Sequence, residues 1–317
     1  MQKQKEIGFN YKKPIIIFLS FILCFVILVE TACLIGVISF SPTKYVFESI
    51  SAGAYNKTDT LVEFLDVGQG DCTVIKVKDK CAVVDFGPPD DCKTVYKGLK
   101  KLGVEKIDLA FVTHLHNDHF GGLLSLLNNV SVENLVISSS GAEDMDSALF
   151  NNLINSVLDK KVKIISPVEG MSFSLNNASF RVVYHNPDAK EENNRSIAVS
   201  AEIENRKILF TGDLNGEGEA ELINRCKNLD ADVLKLGHHG SKTSANIPLL
   251  EITTPVITIA SCGYNNLYNH PAKDLIKRLE NKGIKYYRTD LDGSIKLYFE
   301  NNKIIADKEF KFGGGQT

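Results

Sequence analysis

The segment Thr113-His114-Leu115-His116-Asn117-Asp118-His119 places four ligand-type side chains within six positions. It directly follows an apolar, β-branched run and precedes Phe120-Gly121-Gly122 and a stretch of helical period. Extended residues two apart point the same way, so His114 and His116 can address one metal ion. Asp118 and His119 come at the turn beyond, where the bending chain can present them to a second ion. Imidazole and carboxylate without cysteine suit zinc, manganese or iron. A single histidine would be an ordinary packed or solvated one, whereas this cluster predicts a metal site.

The elements that must hold these residues are legible as runs of apolar and β-branched residues. They fall at 61–66, 72–77, 81–85, 107–113, 134–138, 163–165 and 180–185. Others lie at 196–203, 207–211, 233–236, 256–260, 285–288 and 294–299. Helix-period stretches occupy 93–102, 121–129, 144–158, 217–226 and 271–281. Strands in a meander, followed by strands alternating with helices, predict an α/β fold of two sheets flanked by helices.

The chain has 317 residues, 24% charged and 44% hydrophobic, which excludes a disordered or collagen-like chain. Residues 14–40 contain one charge, Glu30, and follow Lys3, Lys5, Lys12 and Lys13. At about 1.5 Å per residue this stretch exceeds a roughly 30 Å hydrocarbon core. It is also longer than the apolar region of a cleaved signal peptide, about 7–15 residues. A transmembrane anchor is expected, with residues 1–13 cytoplasmic and the body extracellular. Residues 41–60 read as a linker, 61–312 as the folded domain and 313–317 as a flexible tail.

The first 57 residues hold six lysines and three glutamates, which leaves 30 basic and 36 acidic residues in the remainder. A body of net charge −6 has no broad basic face for nucleic acid, so any polyanion must be gripped locally. Of seven cysteines, Cys24 and Cys33 lie in the apolar stretch; the other five have no metal-site spacing.

The HxHxDH segment after a strand resembles the metallo-β-lactamase fold, an αββα sandwich with a two-metal site at one edge. Asp66-Val67-Gly68-Gln69-Gly70-Asp71 is similar to the DVGQGD segment of its competence-channel branch, the C-terminal domain of ComEC-type DNA-uptake proteins. Gly237-His238-His239-Gly240-Ser241 resembles that branch's GHHGS. Asn266-Leu267-Tyr268-Asn269-His270-Pro271 resembles its NxYxHP, with Asn269 where glycine is usual. Such channels carry many membrane helices. One apolar stretch stands here instead, so conduction of DNA is not expected of this chain.

The resemblance implies that His114, His116 and His185 hold one ion, although His185 ends a predicted strand and could simply be solvated. Asp118, His119 and His239 would hold the second, with His238 contacting substrate, or the adjacent pair could be reversed. Asp213, in Thr211-Gly212-Asp213, matches the bridging aspartate; its alternative is a cap for the helix at 217–226. That aspartate is absent from true β-lactamases, which argues against antibiotic hydrolysis. Asp66, Asp71 and Asp85 are expected to brace the site, though the glycines around Asp66 and Asp71 explain much of their turn. His270 is expected to contact phosphate or protonate a leaving group, or else merely to precede Pro271 at a helix start.

The implied chemistry is hydrolysis by a hydroxide activated between two divalent ions, zinc or manganese, with Asp118, His238 and His270 about the reacting atoms. The expected substrate is extracellular DNA, which makes the enzyme a phosphodiesterase or nuclease. Cell-wall phosphoesters, as for a phosphorylcholine esterase, are an alternative. A non-catalytic module binding DNA or a protein partner is another, against which the intact ligand set argues.

Overall fold

Alternation along the strands explains the layers. In β2 (Thr73–Val77), Ile75 and Val77 face one side and Val74 the other. In β3 (Lys80–Val84), Ala82 and Val84 share the first side, Cys81 and Val83 the second. A strand apolar on both faces must lie between two layers. The computed structural model describes residues 59–140, 147–301 and 303–308, with Leu23, Phe25, Ile27, Leu28, Val29 and Thr31 near the N-terminus.

The first sheet contains β1 (Thr60–Phe64), β2, β3, β4 (Lys106–Val112), β5 (Ser131–Ile137), β6 (Lys163–Ile165), β14 (Ile295–Glu300) and β15 (Lys303–Lys308). Its order is β15-β14-β1-β2-β3-β4-β5-β6. The second contains β7 (Ser172–Leu175), β8 (Ala178–Tyr184), β9 (Ala198–Ile203), β10 (Arg206–Phe210), β11 (Val233–Lys235), β12 (Ile257–Ala260) and β13 (Lys285–Arg288). Its order is the reverse of the chain, β13 through β7. The sheets face each other across one apolar layer, where Phe64 stacks on Phe210 with ring centroids 6.2 Å apart.

Helices seal the outer faces. Val95 and Leu99 of α1 (Cys92–Lys101), Leu123 of α2 (Asn117–Leu126) and Val157 of α3 (Ser147–Asp159) cover the first sheet. Leu222 of α4 (Gly216–Arg225), Leu249 of α5 (Ile247–Thr253) and Leu275 of α6 (Lys273–Asn281) cover the second. A short α7 (Thr289–Asp292) follows β13. The compact unit spans Thr58–Phe310 and is the two-sheet sandwich expected.

The structure corrects several expectations. Strands β7 and β15 were not anticipated, because both are edge strands with mixed polar composition and only partly buried residues. Helix α2 starts at Asn117 rather than 121, so Asp118 and His119 lie in its first turn and not in the bend before it. Helix α6 starts at Lys273 after Ala272, so Pro271 is not its first residue. All five described cysteines are free.

Among the described residues no helix is long and apolar enough to cross a membrane. The six described positions within 14–40 are helical, and Leu23, Phe25, Ile27 and Leu28 among them are exposed. The rest of the expected anchor, most of the linker and the tail lie outside the described residues.

Candidate metal centre

Strand β4 runs parallel between β3 and β5 and delivers Thr113 and His114 to the edge of the sandwich. His116 is still extended, with φ −74° and ψ 144°, and serves as the residue before α2. Asp118 and His119 are then projected from the first helical turn, where a carboxylate is favoured by the exposed amides. That helix can approach only because of glycine. A Cβ on Gly122 would stand 2.2 Å from the Phe86 carbonyl oxygen, and one on Gly70 would stand 2.5 Å from that of Asp118.

His119 is fully buried and oriented by Asp85. Its Nδ1 lies 2.8 Å from Asp85 Oδ2, while Thr113 donates its N–H and hydroxyl to the two oxygens of Asp85, both at 2.8 Å. This turns His119 Nε2 toward Asp213 Oδ1 at 3.3 Å. Asp213 follows β10 through Thr211 and Gly212, and its amide donates to Ser196 Oγ at 3.0 Å. It is not the cap of α4, since Asn215 accepts from the amides of Glu217 and Gly218.

His238 and His239 follow β11 in a turn where both adopt positive φ, 47° and 54°. Their side chains diverge through this left-handed pair. His239 is buried, with Nδ1 3.1 Å from the Ser261 carbonyl and Nε2 3.0 Å from Asp118 Oδ2 and 3.6 Å from Asp213 Oδ2. His238 faces the cleft, its Nδ1 3.4 Å from Asn193 Nδ2.

Two groups of ligand atoms result, each within 4.8 Å: His114, His116 and Asp213; and Asp71, His119, Asp213 and His239. Asp118 joins the second through His239. His114 Nε2, His119 Nε2 and Asp213 Oδ1 are buried without a hydrogen-bond partner among the described residues. Buried polar atoms without hydrogen bonds, converging from three residues, are costly unless a cation meets them. The donor set therefore fits divalent metal.

The electrostatics agree. Burial disfavours charge on Asp213, but His119 and His239 outweigh it and hold the carboxyl well below its usual range. Burial likewise opposes charge on His119, yet Asp213 and Asp85 raise it well above an ordinary histidine. His239 is raised to about 10, because Asp213 and Asp71 overcome its burial. His114 is pushed down by burial and by His119.

His185 belongs to neither group. Its Nε2 is 3.0 Å from Ser138 Oγ, and its amide donates to Glu169, so the ring is engaged outside the first set that was expected to include it. Asp66 lies beside Asp91, and its amide donates to Ser294 Oγ at 3.1 Å. Asp85 and Asp71 do face the ligands. Burial and the neighbouring His238 and His239 push His270 down to about 4. These surroundings favour the neutral imidazole, which can donate a hydrogen bond.

Sequence reasoning missed two contributors. Lys235, a buried charge inside the apolar run 233–236, donates to Asp71 Oδ2 at 2.6 Å, and Asp71 Oδ1 stands 3.3 Å from His239 Nδ1. The polar stretch 191–196 forms a wall: Glu192 Oε2 is 3.0 Å from His116 Nε2, and Asn193 meets His238. A lone lysine in a buried strand and a polar run before a strand were the available signals. Above the metal groups opens a cleft of about 960 Å³, lined by Gln69, Asp118, Asp213, His238, Tyr268 and His270 among others.

The sequence profile of the metallo-beta-lactamase superfamily matches residues 65–264. ComE operon protein 3 of Bacillus subtilis is 31% identical over 210 residues, covering 66% of this chain and 27% of that protein. Competence protein ComA of Neisseria gonorrhoeae is 28% identical over 264 residues, 83% of this chain and 36% of that one. The chain thus spans about a third or less of these relatives' length. Among solved structures, CmlA, a diiron beta-hydroxylase from Streptomyces venezuelae, superposes with a TM-score of 0.51 at 13% identity, covering 77% of this chain and 55% of its own. That likeness concerns the fold alone.

Proposed function

This chain belongs to the metallo-beta-lactamase superfamily, and from that premise we propose that it is a metal-dependent phosphodiesterase acting on DNA. The observation that carries the reading is the convergence of His114 Nε2, His119 Nε2 and Asp213 Oδ1, buried and without a hydrogen-bond partner among the described residues, beneath the open cleft. His114, His116 and Asp213 would hold one ion, and His119, His239, Asp118 and Asp213 the other. Bound divalent ions there supply Lewis-acid charge and lower the pKa of water.

The chain's own groups do the rest. Asp213 offers Oδ1 toward His119 and Oδ2 toward His114 and His239, so one carboxylate can serve both positions. Asp118 is partly exposed in the cleft and stays ionised, because His239 and His119 outweigh the effect of its burial; it can hold a cation or accept a hydrogen bond from water. Neutral His238 and His270, whose rings lie 5.6 Å apart, can donate hydrogen bonds to a phosphate or a departing oxygen. Local divalent charge lets an acidic body accept a polyanion. The resemblance of Asp66–Asp71 and Gly237–Ser241 to ComEC-type DNA-uptake proteins supports DNA as the substrate, and relatives named as a competence protein and a ComE operon protein agree with it.

Residues 14–40 anchor the chain with its N-terminus inside and the hydrolase outside, a reading supported by the preceding lysines. The deciding assay presents DNA, RNA and small phosphodiesters to the purified chain with manganese or zinc. Metal-dependent turnover of DNA is expected; metal binding without turnover of any phosphoester would leave a binding module. Protease added to intact cells should digest the body, and its survival until lysis would refute the outward topology.

A further inference from the structure

The rim of the cleft displays apolar surface on a braced loop. Tyr264, Leu267 and Tyr268 are 56%, 95% and 67% exposed. Their loop, residues 263–270, is held from within by Asn266. Its Oδ1 accepts from the His270 amide at 2.9 Å, and its Nδ2 donates to the Gly263 and His270 carbonyls at 2.9 and 2.6 Å. The Gly263 amide donates to Gln69 Oε1 at 3.1 Å, which ties the loop to the Gly-rich turn beside the metal ligands. Large side chains held out in water by such a frame are surface kept for a partner.

The rings give that surface a direction. Tyr268 stacks on His270 with centroids 5.6 Å apart and planes at 25°, and His270 lies 6.5 Å from His239. Aromatic surface therefore runs from the metal ligands outward to a tyrosine still two-thirds exposed. Tyr268 and His270 both line the cleft. Outside the first 57 residues acidic groups outnumber basic ones, 36 to 30, so the net charge of the body opposes a polyanion. A nucleic acid strand bound here has the metal charge for one phosphate and little electrostatic help for the others. Stacking of bases on aromatic side chains is the remaining general source of affinity, and it is indifferent to sequence.

We infer that Tyr268 is a stacking platform for a base flanking the phosphodiester held over the metal ligands, so that the site takes single-stranded nucleic acid in preference to duplex. The preference follows because a base inside a duplex already has both faces covered and must be unstacked to reach a protein ring. This rests on the phosphodiesterase reading above and names its substrate class. Tyr268 determines specificity here and takes no part in proton transfer.

The test measures binding to the full-length, metal-loaded chain by fluorescence anisotropy. The probes are a phosphorothioate single strand, its duplex, and an abasic strand of equal length. Wild type should bind the single strand more tightly than either of the others. Tyr268→Ala should weaken single-strand binding by about 5–150-fold, the value of one stacked base, and abolish the preference over the abasic strand. Tyr268→Phe should retain both. Circular dichroism and metal content matching wild type certify that each variant is folded. Undiminished binding by Tyr268→Ala, equal binding of the abasic strand or the duplex by wild type, or equal losses in the alanine and phenylalanine variants would each overturn the platform. Failure of the phosphodiesterase reading shows separately, as absence of diester turnover by wild type however the binding falls.

Discussion

Around His119 and His239 the ring nitrogen that faces away from the cleft is engaged, by Asp85 in one case and the Ser261 carbonyl in the other, and both rings are buried. Around His114 and His116 the support is thinner. Among the described residues His114 Nδ1 meets the Thr113 hydroxyl alone, at 3.2 Å, and the His116 side chain is 35% exposed with its Nε2 against Glu192. The third histidine expected on that side is engaged with Ser138 instead. Orientation of ligands before the ion arrives lowers the cost of binding, so the deep half of the centre is built to hold metal tightly. The outer half has a ligand that must exchange a carboxylate for an ion. One site is preorganised and the other adjustable.

The residue shared by both halves gives the largest expected effect. Asp213→Ala should reduce bound metal from two ions to at most one and slow turnover by at least about 10³-fold, since a carboxylate serving both ions is worth several kcal/mol. Elemental analysis alongside a diesterase assay checks this; two tightly held ions in the variant would break the bridging assignment.

Next comes the contrast between the halves. Asp85→Asn removes the brace on His119 and should weaken metal binding by about 10–100-fold. Glu192→Gln, on the exposed side, should change affinity by no more than about fivefold, as partly exposed polar contacts contribute about 1 kcal/mol at most. Competition titration against a chromophoric chelator ranks the two. Equal effects would erase the distinction drawn here.

A smaller effect concerns pH. Burial, with His238 and His239 nearby, depresses His270 in the folded state to about 4, below its unfolded value near 6.5. Its contribution to stability is therefore complete above about 6.5 and is lost as pH falls through 4. Urea midpoints of the metal-free chain should fall further on acidification in wild type than in His270→Gln. Parallel curves would show that His270 is not desolvated by the cleft.

The smallest change is expected from His185→Ala, which should retain both ions because the ring is bonded to Ser138. Loss of one ion would restore His185 to the first set and make the two halves alike.

The cluster His114 to His119 was readable because its ligands are neighbours in the chain, and the strand that precedes them shows its apolar run directly. Most strands of the interior were legible for the same reason: burial on both faces selects β-branched residues locally, as in Thr73–Val77 and Lys80–Val84. The edge strands Ser172–Leu175 and Lys303–Lys308 were not, because half-exposed strands carry no such constraint. Residue types and order alone thus determined the family, the α/β sandwich and a donor set suited to divalent metal. Tertiary structure alone decided that Lys235 reaches Asp71 across 164 positions, that His239 meets Asp118 across 121, and that His185 turns to Ser138 across 47. A side chain's partner depends on where sheets and turns carry it, and two left-handed residues in succession at His238 and His239 leave no mark in composition or period. The chain encodes its ligands locally, but their division of labour exists only once the two sheets have closed on each other.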